Sequence, residues 1–129
     1  VFEYHGWITL VGSPDPEDET PCDAFLGQVR TLLDRMDSPY LADLRAMNGR
    51  WMLHIAGHPN RSGLHGPEII DLFTEVGRIA PGSYGLLHTY DDEDPQNPNA
   101  FRVHRLARGA LTERPDPFLS PVRPTIEDP

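Results

Sequence analysis

Asn48-Gly49 stands between two segments of strand-like composition, Tyr40–Met47 and Arg50–Gly57. Both residues of a two-residue hairpin loop take positive φ, which Gly adopts freely and Asn at little cost, so the dipeptide predicts an antiparallel strand pair mid-chain. The second strand sets Trp51, Leu53 and Ile55 on one side and Met52 and His54 on the other. A fold built around such a pair needs further strands beside it and a cover for its apolar side.

The flanking sequence supplies both. Phe2 to Val11 alternates as a strand, with Phe2, Tyr4, Ile8 and Leu10 facing one way and Glu3, His5, Trp7 and Thr9 the other. An acidic loop, 12–19, leads to Thr20 as a helix N-cap and Pro21 at the first helical position. The helix is expected to run to about Met36, burying Phe25, Val29, Leu32, Leu33 and Met36. A loop over 58–66 precedes a second helix starting at Pro67, with Ile69, Leu72, Phe73, Val76 and Ala80 on its apolar face and Pro81-Gly82 as its stop. Strands are expected at Ser83–Tyr90 and Ala100–Ala107, on either side of the acidic loop 91–99, and a short one near 110–112. Five of the last fifteen residues are Pro, which predicts an extended strap over 115–129, anchored by Phe118 and Leu119.

The order β-α-β-β-α-β-β implies an α+β fold: an antiparallel sheet with two helices on one face, in a ferredoxin-like or split βαβ layout with an added strand. A length of 129 residues fits one domain, 1–129. No apolar run approaches a membrane span, and the first residues lack the basic start and apolar stretch of a signal peptide, so a cytoplasmic protein is expected. All eleven basic residues are Arg, and the net charge is −9. A phosphate backbone repels such a chain, so nucleic acid and membrane are not expected partners, whereas a basic protein is. Cys22 is the one cysteine, which excludes an internal disulfide and a multi-cysteine metal site.

Six histidines invite a metal or hydrolase reading. His54, His58 and His65 lie close in sequence without the i, i+4 helical pairing of a zincin. By strand parity, His5, His54 and His104, with His88, fall opposite the apolar positions, on a sheet face shared with Trp7, Met52 and Arg102. That face reads either as an ordinary half-polar surface partly covered by the strap or as a recognition surface, since Trp and Arg are typical of binding hot spots. Two acid clusters stand out: Asp15, Glu17, Asp18 and Glu19, and Asp91, Asp92, Glu93 and Asp94. Neither has EF-hand spacing, and consecutive acids in a Pro-containing loop are more often a solvated turn than a catalytic pair. Ser83 lies in Gly-Ser-Tyr-Gly, not in a nucleophile elbow. No nucleophile, base and orienting group can be assembled, so neither catalysis nor a cofactor or metal is expected; the alternative is a small metal-dependent hydrolase using sheet-face histidines and the acidic loop.

Six segments occur in an order with a known counterpart: Phe-Glu-Tyr-His-Gly-Trp-Ile at 2–8, Leu-His-Ile-Ala-Gly at 53–57, Ala-Pro-Gly-Ser-Tyr-Gly-Leu-Leu at 80–87, Asp-Asp-Glu-Asp at 91–94, Leu-Ala-Arg-Gly at 106–109, and Asp-Pro-Phe-Leu-Ser-Pro-Val-Arg-Pro-Thr-Ile-Glu-Asp at 116–128. The chain thereby resembles the immunity protein 7 family of bacterial polymorphic toxin systems, nearly end to end. Trp7, Tyr84, Gly85 and Phe118 match positions of that family's pattern. The resemblance implies an α+β protein that binds and neutralises a cognate toxin domain, one with a basic cleft such as a nuclease suiting an acidic inhibitor. The candidate contacts are the two acid clusters together with Trp7, His54 and Tyr90.

Overall fold

The computed structural model describes residues 1–18, 21 and 23–124. In chain order the elements are β1 (Phe2–Leu10), α1 (Asp23–Met36), β2 (Leu41–Met47), β3 (Arg50–Gly57), α2 (His65–Ile79), β4 (Tyr84–Asp91), β5 (Phe101–Ala107) and β6 (Ala110–Pro115). The strands form one antiparallel sheet in the order β2-β3-β1-β4-β5-β6. Each helix joins strands separated by a third: α1 leads from β1 past β3 to β2, and α2 leads from β3 past β1 to β4.

Two-residue turns close both short hairpins. Asn48 and Gly49 take φ of 50° and 84° between the paired Met47 and Arg50, and Arg108 and Gly109 take 53° and 76° between Ala107 and Ala110. The second turn lets β6 run on to Pro115, longer than the short strand expected. Pro67 is the third residue of α2 and not its start, which the helix accepts because first-turn N–H groups have no partner within the helix. Thr20, Glu19 and Cys22 lie outside the described residues.

One core joins the helices to the sheet. Phe2, Tyr4, Ile8 and Leu10 of β1 pack with Leu53 and Ile55 of β3 and Leu87 of β4, under Phe25 and Val29 of α1 and Leu72, Phe73 and Val76 of α2. Gly85 lies opposite Ile8, and a Cβ there would collide with the Trp7 carbonyl, so close approach of β1 and β4 requires glycine at 85.

Two expectations are corrected. Register pairs His104 with Leu87 and Arg102 with Thr89, which places both on the helix side of the sheet, not on the open face. In β5 only Leu106 of the inward set is apolar, while Phe101 and Val103 face outward, so apolar parity points the wrong way. The C-terminal segment is also anchored differently. Phe118 is 88% exposed and Leu119 60%, whereas Asp116 is only 4% exposed. The Asp116 carboxylate accepts the backbone N–H of Phe118 (3.2 Å) and of Leu119 (2.7 Å). Beyond it, Phe101 N–H donates to Ser120 Oγ, Val122 N–H to the Asn99 carbonyl and Arg123 N–H to Asn99 Oδ1. Polar tethers fix this segment, and residues 125–129 lie outside the described part.

Candidate partner-binding surfaces

Both helices pack on one side of the sheet, which leaves the other without a helical cover. A row across it runs Asp43, His54, Trp7, Leu86, Arg105, Thr112, each opposite the next on the neighbouring strand. Trp7 and Tyr84 are diagonal neighbours on β1 and β4, a spacing that long aromatic side chains bridge. Their rings meet edge to face with centroids 6.2 Å apart, and Tyr84 is 49% exposed. His54 is exposed beside Trp7, and Met52 is half-buried one row on. His5 pairs across with His88 and donates from Nε2 to Glu3 at 2.6 Å, while His58 Nε2 lies 3.8 Å from the same carboxylate. Tyr90 faces the same way but is buried, its ring 5.5 Å from that of Phe101. Of the residues expected to make contacts on this face, Trp7 and His54 are therefore accessible and Tyr90 supports the sheet from within.

The described acids of the two clusters lie in loops beyond opposite ends of β1, a strand of nine residues. Asp15 shapes its own loop: its Oδ1 accepts Glu17 N–H at 2.9 Å and its carbonyl accepts Asp18 N–H at 3.1 Å. Asp91 and Asp94 do the same in the other. Asp91 Oδ1 accepts Glu93 N–H at 3.0 Å, and Asp94 Oδ1 accepts Gln96 N–H at 2.9 Å, a bond that holds the Asp94 carboxyl below its usual pKa. Glu93 points outward to Arg61, with 3.4 Å between Oε1 and Nε. Asp92 Oδ1 accepts a hydrogen bond from the Val1 amino group at 2.7 Å, so three of the four acids in this loop hold local structure. Glu93 shows its charge to solvent.

A polar cleft on the helix side was not foreseen. It has a volume of about 440 Å³ between the start of α2 and the ends of β4, β5 and β6, with Asp71, Asp94, Arg102, His104 and Glu113 in its wall. Arg102 Nε donates to Glu113 Oε1 at 2.8 Å, and His104 Nε2 lies 3.4 Å from Thr89 Oγ1. Burial pushes the His104 pKa down, with Glu113 opposing and Arg102 reinforcing the shift. The cleft gathers α2, β4, β5 and β6, so only Arg102, His104 and Leu106 sharing one parity hinted at it.

Among the described residues no three His, Cys, Asp or Glu side chains are grouped to hold a metal ion, and no helix is long and apolar enough to cross a membrane. The sheet-face His54 sits about 17 Å along the strand from the Asp91 end, five residues at ~3.3 Å each, so register does not join it to that acidic loop. No curated protein and no solved structure matches the chain. Residues 1–128 match the family model of Immunity protein 7, and the chain belongs to that family.

Proposed function

We propose that this protein binds a cognate toxin domain on the open sheet face and neutralises it in the cytoplasm by occupancy, without catalysis or a cofactor. The observation that carries the reading is the accessible Trp7–Tyr84 pair on a sheet face without a helical cover, in a chain of the immunity family. Aromatic side chains that lose water against a partner dominate binding energy at such surfaces. Phe118 and Leu119, held out by the Asp116 turn, supply a second apolar contact.

The charge of −9 suits a toxin with a basic substrate cleft, such as a nuclease, because complementary fields raise the association rate before the toxin reaches its substrate. The same charge disfavours nucleic acid and anionic membrane as partners of this chain. Co-expression with the toxin domain encoded beside it tests the reading. Rescue of growth and co-purification as a stable complex are expected. A toxin that kills equally with and without this protein defeats it.

A further inference from the structure

β2 and β6 are the two edges of the sheet. Exposed edges invite pairing with another chain, and natural sheets guard them with proline, charge or bulges. β6 ends on Pro115, but β2 has seven residues without proline or glycine, and its end residues Leu41 and Met47 are 54% and 38% exposed. In a two-residue hairpin the pair flanking the turn, here Met47 and Arg50, exchanges hydrogen bonds. Alternation along the ladder then turns the N–H and C=O groups of Leu41, Asp43, Arg45 and Met47 toward β3 and those of Ala42, Leu44 and Ala46 toward the free edge.

The strand reads Leu-Ala-Asp-Leu-Arg-Ala-Met, and it is complementary to itself in reverse. An antiparallel second copy centred on Leu44 sets Leu41 against Met47, Ala42 against Ala46 and Asp43 against Arg45. The same register satisfies the backbone, because the residues it pairs by hydrogen bonds are Ala42, Leu44 and Ala46. Asp43 and Arg45 then occupy the non-hydrogen-bonded pairs, where facing side chains come closest. Within one protomer they already bond on the open face, Arg45 Nε to Asp43 Oδ2 at 2.9 Å, so the joined strands carry four charges of alternating sign. Shifting the register by two residues opposes Asp43 to Asp43 in one direction and Arg45 to Arg45 in the other, and like charges facing each other destabilise a pair. A shift of one turns every side chain to the wrong face.

We infer that β2 is a self-recognition edge: two copies of this chain pair antiparallel about a two-fold axis at Leu44, joining their sheets into one. The interface is isologous, so each substitution acts twice. Sedimentation equilibrium across a concentration series tests this, with circular dichroism as the control for folding. The parent should pass from monomer to dimer. Arg45→Asp and Asp43→Arg should each weaken the dimer by about tenfold or more, since each sets like charges opposite at both symmetry-related positions. Mixing these two variants should restore association as a heterodimer, and the double variant D43R/R45D should restore the homodimer. Ala42→Pro, which removes an N–H that β3 does not use at an exposed position, should fold and stay monomeric. A parent that remains monomeric throughout overturns the inference, as does a dimer indifferent to the charge swaps.

Discussion

Trp7 and Tyr84 meet edge to face on the side of the sheet that neither helix covers, and Gly85, next to Tyr84, is what lets their strands approach. If this pair anchors the toxin, truncating either ring removes contacts that hold the complex together. Trp7→Ala and Tyr84→Ala should each raise the dissociation rate by about 30-fold or more, the ~2 kcal/mol typical of a hot-spot aromatic, with little change in association. Surface plasmon resonance with the cognate toxin measures both rates. A complex of unchanged lifetime would remove the open face from consideration.

The acidic loop at 91–94 divides by role, so the charge test must spare its structural members. Glu93→Gln with Glu17→Gln of the other acid cluster leaves the Asp91 and Asp94 carboxylates on their backbone donors and Asp92 on the Val1 amino group. Stopped-flow association with the toxin should slow by about threefold or more at low ionic strength, with a shallower salt dependence and unchanged dissociation. Asp91→Asn with Asp94→Asn should instead lower thermal stability.

Asp116 and Phe118 are two residues apart, one buried and one exposed, and their variants should separate stability from binding. Asp116→Ala removes the acceptor of two backbone N–H groups, a loss of about 2–4 kcal/mol that calorimetry should show as a melting temperature lower by roughly 6–15 °C. Phe118→Ala should leave the melting temperature nearly unchanged, since exposed substitutions stay within about 0.5 kcal/mol, while weakening the toxin complex. Equal stability loss in both variants would mean that Phe118 packs after all.

The depressed pKa of His104 makes stability fall with acid. Its pKa in the fold lies below the ordinary 6.5, so the unfolded chain binds the proton first and stability rises with pH through that window. Denaturant unfolding from pH 8 to 5, a range of about three units around the ordinary imidazole pKa, should show stability lost as pH drops below about 6.5. The slope should diminish in His104→Gln. A parallel pH dependence in parent and variant would assign the effect to other groups.

Where local chemistry and tertiary demand coincide, the sequence was easy to read. Asn48-Gly49 must take positive φ, and β1 alternates cleanly because one side packs on helices, so hairpin and central strand were both visible. β5 was misread because parity assumes that the helix layer covers the whole strand. At its start the strand faces a polar cleft, Arg102 and His104 turn inward, and Phe101 joins Tyr90 on the other side. Phe118 was misread through composition: a large apolar residue in a Pro-rich end suggests an anchor, but the buried carboxylate of Asp116 performs that task. The Trp7–Tyr84 contact depends on register between strands far apart in sequence, which neither strand reveals alone.

That separation has a consequence for how the protein is made. β1 leaves the ribosome before β4, yet one of its edges is completed only when Thr9 finds Tyr84 and Phe2 finds Asp91. At about 5–20 residues per second, β4 follows β1 by roughly 4–16 seconds. Through that interval the nascent chain has Trp7 but no Tyr84 beside it, and its central strand lies open to misplaced partners. A chain stalled before Tyr84 should therefore be digested by protease as readily as an unfolded one.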